Sequence, residues 1–239
     1  IKASPPSGRS PRDIWRSLQS IEVTQDRLDK SGTFWRADDV TAAFETWQAS
    51  VGDRPFFAFV NLFDAHGPHR LDGPTTIPQE FVRRFANNFS PDRDRYDAAI
   101  AWLDSVVGKT LNTLQERGVL DHTIVVVTAD HGEQFGERQR QGHGNTLYPP
   151  AVQVPLLIRA PGLVGPGQRI STTVSLTNLA ATLLDLAGVE NHSFPGTSLA
   201  EAWKTPGQAA IEPVIAELRR PPPDRGELVS KFDGRYQLI

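Results

Sequence analysis

The chain contains the segment Thr123-Ile-Val-Val-Val-Thr-Ala-Asp-His-Gly-Glu133, and no other part of it indicates a fold so clearly. Residues 123–128 are apolar or β-branched and carry no charge, which is typical of a buried strand in a parallel sheet. Asp130 and His131 follow, and Gly132 then allows a sharp turn. Because open α/β sheets bind ligands at the carboxyl ends of their strands, we predict a functional site at Asp130 and His131.

Asp130 and His131 are the predicted metal ligands. A carboxylate beside a neutral imidazole suits one divalent ion such as calcium, zinc or manganese. The alternative is a polar strand end at which Asp130 caps the following turn. Glu133 either orients a ligand from the second shell or lies in solvent. Together these side chains predict a metal-dependent hydrolase.

Two other loops carry candidate histidines. His143 lies between two glycines, where it contacts an anionic substrate group, joins a second metal, or is merely a surface histidine. His66 follows the apolar run at 56–62, so it is placed to protonate a leaving oxygen or bind an anion. His69, nearby, either binds substrate or packs under the loop. Asp64 either fixes the turn or touches substrate.

Composition excludes several classes of protein. A net charge of −3 without a basic face argues against a nucleic-acid partner. No apolar run approaches the roughly 18 residues that span a bilayer. The absence of cysteine excludes disulfides and thiolate metal sites. Because the chain starts at Ile1 and stops within an apparent strand, we expect it to be a fragment.

The predicted elements alternate between strand and helix, which favours a mostly parallel sheet sandwiched by helices. We divide the chain into a flexible lead-in and loop over 1–35, an α/β domain over 36–210 whose N-terminal part is missing, and the start of a C-terminal strand region over 211–239. Gly108, inside a long helix that begins at Ser90, predicts close packing of that helix against the sheet. The helices are expected from residue 38, from Ser90 to Gly118 and over 177–187, and the strands over 55–62, 123–128, 154–158, 213–217, 227–231 and 235–239.

Six ordered segments together resemble one family. From about Arg36 onward the chain is similar to the C-terminal two-thirds of the catalytic domain of sulfatases, within the alkaline phosphatase superfamily. The segments are Arg54-Pro-Phe-Phe-Ala-Phe-Val-Asn61, Tyr96-Asp-Ala-Ala-Ile-Ala-Trp-Leu-Asp-Ser-Val-Val-Gly108, and residues 120–133, 147–162, 174–188 and 196–199.

This resemblance implies a three-layer α/β sandwich with a small antiparallel C-terminal sheet that begins near residue 213. It also implies one divalent ion held by Asp130 and His131, plus acidic ligands from an N-terminal strand. A nucleophile (formylglycine, Thr or Ser) would attack sulfur or phosphorus and form a covalent intermediate. His66 matches the family's histidine after the Phe-rich strand. His143 matches a position that is lysine in many sulfatases and histidine in phosphotransferase-like members.

Two departures from the family pattern matter. The chain has no Cys-X-Pro-X-Arg motif, and the nucleophile is not identified within it. Since two protein ligands bind a divalent ion weakly, we expect these 239 residues alone to be inactive. The histidines at 131 and 143 leave the choice between sulfate and phosphate esters open.

Three functions remain as hypotheses. The first is a hydrolase of sulfate esters or related phosphate esters on a small molecule, glycan or lipid. The second is a membrane-anchored phosphoethanolamine or phosphoglycerol transferase, and the third is a non-catalytic anion-binding relative. Family resemblance favours an exported, periplasmic or membrane-associated protein, with any membrane anchor in a missing N-terminal segment.

Overall fold

The structure is a computed structural model that describes residues 36–66, 77–189, 194–204, 213–219 and 226–239. The predicted lead-in over 1–35 and the candidate His69 lie outside these residues. The chain divides into two compact units, Ile1–Asp121 and His122–Ile239, and each is described by itself. The predicted domain boundary near residue 210 stays a prediction.

Three helices form the described part of the first unit: α1 (Ala37–Val51), α2 (Gln79–Phe85) and α3 (Pro91–Glu116). The long helix α3 begins where the sequence predicts it. The Ser90 hydroxyl accepts the backbone N–H of Arg93 at 3.4 Å, and proline occupies the first helical position, where no intrahelical N–H is needed.

An apolar cluster lies between these helices. Trp102 of α3 packs edge-on against Phe81 of α2, with ring centroids 5.5 Å apart. The close packing predicted at Gly108 is wrong, because no described atom lies within 4 Å of the position a Cβ would take there. The buried residues of the cluster are Ala37, Ile77, Ala98, Ala99, Trp102 and Val106.

The apolar segment 55–62 is not assigned as a strand, contrary to the prediction. Phe56 lies edge-on to Trp47 of α1, with centroids 5.7 Å apart. Phe57 and Phe59 are 59% and 83% exposed. A run of apolar residues can favour an extended backbone, but a strand also needs a hydrogen-bonded neighbour, and the described residues supply none.

The second unit places two strands side by side, β1 (Val125–Thr128) and β4 (Leu156–Arg159). They are antiparallel, and no parallel pair occurs among the residues that the structure describes, although the sequence predicted a mostly parallel sheet. The connection between β1 and β4 contains a hairpin of β2 (Gln134–Phe135) and β3 (Gln141–Gly142) and the short helix α4 (Pro149–Val152). A crossover between parallel strands usually contains a full helix, whereas the helix in this connection has four residues.

The C-terminal part of this unit contains helices α5 (Leu179–Leu186) and α6 (Ala200–Lys204). An antiparallel sheet follows, in the order β5–β6–β7, as the resemblance implied. Its strands are β5 (Val214–Arg219), β6 (Glu227–Phe232) and β7 (Gln237–Leu238). In the described residues, no helix is both long enough and apolar enough to cross a membrane.

Candidate functional site

The turn after β1 brings the two predicted metal ligands together. His131 Nε2 lies 3.6 Å from Asp130 Oδ2, and the other oxygen of Asp130 accepts the backbone N–H of His131 at 2.9 Å. His131 Nδ1 lies 2.9 Å from the carbonyl oxygen of Gly132. That carbonyl can only accept, so it favours the imidazole tautomer with hydrogen on Nδ1 and a lone pair on Nε2.

The donor chemistry of this pair fits a divalent cation. Carboxylate oxygen and imidazole nitrogen are both ligands of such ions, and the Asp130 side chain is 86% exposed. In the described part of the chain, no group of three or more His, Cys, Asp or Glu side chains is arranged to hold a metal ion. Further ligands of these four types would therefore have to come from outside the described residues.

Gly132 fixes the direction of this turn. Its backbone N–H donates to the carbonyl oxygen of Ala151 in α4 at 2.8 Å. A Cβ at this position would overlap the carbonyl oxygen of Pro150. Glycine is thus required here by close backbone approach, as the sharp turn in the sequence suggested.

The hairpin β2–β3 brings His143 close to Asp130 and His131, the predicted metal ligands. Gln134 pairs with Gly142, so Glu133 and His143 flank the hairpin on opposite strands. The Glu133 carboxylate oxygens lie 3.3 and 3.2 Å from His143 Nδ1. The imidazole of His143 stacks on that of His131, with centroids 4.0 Å apart and 29° between the ring planes. Asp130, His131, Glu133 and His143 therefore form one cluster.

Arg138 and Tyr148, which the sequence did not single out as site residues, lie at this hairpin. The guanidinium of Arg138, in the hairpin loop, lies 4.3 Å from the centre of the Tyr148 ring. Arg138 and Gln139 both have positive φ, 52° and 60°, which is uncommon for residues other than glycine. The only available signal was the pair of glycines at 136 and 142 around a short polar stretch, which is typical of a hairpin loop.

His66 lies in the first unit, at the end of segment 55–62. Its backbone N–H donates to Phe63 O at 2.8 Å, and its ring is 5.6 Å from that of Phe63. Its neighbour Asp64 is 4% exposed and accepts the indole N–H of Trp102 at 3.1 Å. This bond joins the turn at 64–66 to α3. The choice between fixing the turn and touching substrate stays a prediction for Asp64.

Solved structures define the class of fold. The fold is similar to that of yidJ, a Bacteroides fragilis protein assigned to the sulfatases, with a TM-score of 0.75 and 16% identity. The match covers 86% of this chain and 49% of yidJ. A phosphonate monoester hydrolase from Silicibacter pomeroyi gives a TM-score of 0.64 at 23% identity, over 95% of this chain and 59% of that one. The chain thus has the alkaline phosphatase-like α/β fold that the resemblance implied.

Sequence comparison identifies the family. The family model described as Sulfatase matches residues 12–189, so the chain belongs to the sulfatase family. Arylsulfatase K from Xenopus laevis is 37% identical over 125 residues, which is 52% of this chain and 23% of that protein. The chain accordingly spans less than two thirds of the length of each of these relatives. Members of the family generally use a divalent metal ion.

Proposed function

We propose that this chain forms part of a divalent-metal-dependent hydrolase of sulfate esters, with phosphate or phosphonate esters as the near variant. The observation that carries the proposal is the cluster of Asp130, His131 and His143. In this cluster Asp130 Oδ2 and His131 Nε2, two atoms that can bind a divalent ion, lie 3.6 Å apart. The imidazole of His143 stacks on that of His131. Membership of the sulfatase family supports the same chemistry.

Each residue has a role in this proposal. Asp130 and His131 Nε2 would hold the metal ion, which when bound would stabilise negative charge on the transferred group. His143 contacts the anionic sulfuryl or phosphoryl oxygens. His66 gives a proton to the leaving oxygen, and His69 binds substrate. Calcium, zinc and manganese all remain candidates for the ion.

The nucleophile is proposed to come from outside these 239 residues. The chain has no cysteine, and so no Cys-X-Pro-X-Arg motif from which formylglycine could form. The ester is proposed to be a sulfated small molecule, glycan or lipid, in an exported, periplasmic or membrane-associated setting. A phosphoethanolamine transferase remains the alternative if a threonine nucleophile and membrane helices accompany the site.

The test is turnover by the intact gene product, whose sequence upstream of Ile1 is read first. We expect hydrolysis of 4-nitrophenyl sulfate, with phenylphosphonate and phosphate esters as comparators. Asp130→Ala should abolish metal binding, measured by calorimetry, and turnover, while the circular dichroism spectrum is unchanged. Asp104→Ala, which removes an exposed carboxylate from α3, is the matched control and should behave as the parent.

The possible outcomes separate the hypotheses. Full turnover in the Asp130→Ala protein would show that the site is assigned wrongly. Preference for a phosphorus ester would select the near variant. Metal binding without turnover of any ester, in a gene product that has no nucleophile, would indicate the non-catalytic anion-binding relative.

A further inference from the structure

The loop of the hairpin β2–β3 holds a cation on an aromatic ring. The guanidinium of Arg138 lies 4.3 Å from the centre of the Tyr148 ring, within the roughly 6 Å over which a cation and a ring attract each other. Arg138 is exposed, and no ion pair to it occurs in the described part of the chain. A guanidinium stacked on a ring keeps its N–H donors in its own plane, where they can bind an anion.

Arg93 of α3 provides a contrast within the same chain. Its guanidinium also stacks on a ring, that of Phe89, at 3.9 Å from the ring centre. Its Nε, however, lies 3.7 Å from a carboxylate oxygen of Asp97, one turn further along the helix. Arg93 therefore has a carboxylate partner within its own helix, whereas Arg138 is placed to take one from a ligand.

The backbone of the loop does not by itself explain an arginine at position 138. Arg138 and Gln139 have φ of 52° and 60°, in the left-handed region that glycine and asparagine adopt most readily. Residues held in such conformations cost free energy and are common in ligand clamps. An arginine at this position is thus better explained by its side chain than by the turn.

The ring beneath Arg138 is fixed relative to the predicted metal ligands. Tyr148 directly precedes α4, and its carbonyl oxygen accepts the backbone N–H of Ala151 at 2.9 Å. The carbonyl oxygen of Ala151 accepts the backbone N–H of Gly132 at 2.8 Å, and Gly132 follows His131. The platform for Arg138 is therefore joined by two hydrogen bonds to the turn that carries His131.

The loop is near enough to His143 for one small molecule to reach both. In the hairpin, Gln134 lies opposite Gly142 and Phe135 lies opposite Gln141. Since a strand rises about 3.4 Å per residue, the loop begins roughly 10 Å from His143 along the hairpin. A substituted arene or a short glycan can span this distance.

We propose that Arg138, stacked on Tyr148, binds a second anionic group of the substrate, a carboxylate or sulfate on the organic part of the ester. This inference rests on the proposed function and makes its substrate more specific. The substrate is then a sulfated acid or a multiply sulfated glycan rather than an ester with a neutral organic group. The planar N–H fork of arginine suits such oxyanions, because it can donate two parallel hydrogen bonds. Arg138 takes no part in breaking the ester bond and acts on substrate choice.

The test uses the intact gene product and pairs of probes that differ in one charge. The first pair is 4-carboxyphenyl sulfate and 4-carbamoylphenyl sulfate, and the second pair is the same with a biphenyl in place of the phenyl ring. The carboxamide keeps the shape of the carboxylate without its charge. For each pair, the ratio of kcat/KM for the carboxylate to that for the carboxamide is measured in the parent and in Arg138→Gln.

We expect the parent to prefer the carboxylate in at least one pair. Arg138→Gln should lower that ratio about tenfold, the size of effect expected for a hydrogen bond to a charged group. High salt should weaken the preference of the parent, because the arginine is exposed. Equal ratios in the parent and in Arg138→Gln for both pairs would overturn the proposal.

Two kinds of variant serve as controls. Arg93→Gln removes a stacked arginine from α3 and should leave the ratio as in the parent. Tyr148→Phe keeps the aromatic platform and should keep the preference, whereas Tyr148→Leu should lower it. A ratio that fell equally in Arg93→Gln and Arg138→Gln would also overturn the proposal.

Inert sulfonates separate this proposal from the proposed function. The dissociation constants of 4-sulfobenzoate and 4-sulfobenzamide, measured by calorimetry, give the same comparison without turnover. If Arg138→Gln lowers the preference in binding while the parent hydrolyses no ester, the proposed function alone is contradicted. Benzene-1,4-disulfonate distinguishes the two sources of the second charge, since a larger loss of its affinity than of 4-sulfobenzoate would select a sulfate over a carboxylate.

Discussion

The region around Trp102 and the region around His131 are stabilised by different forces. Trp102 belongs to a buried apolar cluster formed by helices of the first unit. The site cluster of the second unit depends on directional contacts, such as Gly132 N–H to Ala151 O and Glu133 to His143. Apolar burial tolerates small displacements, whereas hydrogen bonds weaken steeply with angle and distance. Substitutions around Trp102 should therefore lower the free energy of unfolding, whereas substitutions around His131 should mainly change the positions of the site side chains.

The largest effect is expected from Trp102→Ala. Removing a buried tryptophan costs about 3–5 kcal/mol of unfolding free energy. Hydrogen exchange measured by mass spectrometry should show faster exchange in peptides of α2 and α3. Exchange in β1 and β4 should change much less, and an equal acceleration there would contradict the separation of the two regions.

Trp102→Phe is the matched variant for this experiment. It keeps an aromatic ring but removes the indole N–H that donates to Asp64. Because Asp64 is buried, losing this donor should cost about 1–3 kcal/mol. Hydrogen exchange should become faster mainly in the turn at 64–66, since the lost bond joins that turn to α3.

Gly132→Ala should have the next largest effect, and it tests the site region. The new methyl would overlap the Pro150 carbonyl oxygen, and overpacking of this kind costs about 1–3 kcal/mol. We expect faster exchange over 149–152 and weaker metal binding by calorimetry. Gly144→Ala is the control, because φ is +71° there but no described atom lies within 4 Å of the added Cβ. If residues 149–152 lost protection from hydrogen exchange to a similar extent in both variants, the overlap with Pro150 would not be the cause of the effect.

Gly108→Ala should stabilise the helical region slightly. The position is helical and open, so alanine adds no clash and lowers the backbone entropy of the unfolded chain. A gain of about 0.5–1 kcal/mol in urea unfolding is expected. Gly118→Ala, at φ +69°, should instead destabilise the protein. Destabilisation by Gly108→Ala would show that α3 packs closely at this point after all.

The smallest effect concerns Asp233, in the turn between β6 and β7. Its carboxylate accepts the backbone N–H groups of Tyr236 and Arg235, and these bonds hold its pKa below the ordinary value of 3.8. A lowered pKa means that the stabilisation is complete above the ordinary value and is lost as pH falls through the lowered one. The amide resonance of Gln237 should shift over that acidic range in the parent. In Asp233→Asn this shift should disappear, whereas Asp104→Asn should retain it.

Local signals in the sequence were sufficient for the long helix α3, whereas helix α2 (Gln79–Phe85) was not predicted. Ser90 followed by proline, and the apolar spacing after it, predicted the start and length of α3 because capping and periodicity act within a few residues. The contact between Asp130 and His131 was also predictable, since the two residues are adjacent and follow an apolar strand. Their role as metal ligands stays a prediction.

Non-local contacts explain what the sequence did not reveal. Segment 55–62 has a strand-like pattern, but strand formation depends on a partner that no local pattern names. The contact between Glu133 and His143 depends on the register of the hairpin, and residues 134–142 are too polar to show an alternating pattern. The bond from Asp64 to Trp102 joins residues 38 positions apart, which is beyond any helical or strand period.

The hairpin that pairs Glu133 with His143 also has a consequence for folding. The four residues of the site cluster lie within positions 130–143, so their mutual contacts have low sequence separation. Closing a loop of about ten residues takes about 10–100 ns and forming a β-hairpin about 1–10 μs. Non-local strand pairing is slower because loop closure must be completed before the contacts form. The cluster can therefore assemble early in folding, before the C-terminal strand β7 brings Gln237 to the carbonyl of Leu147.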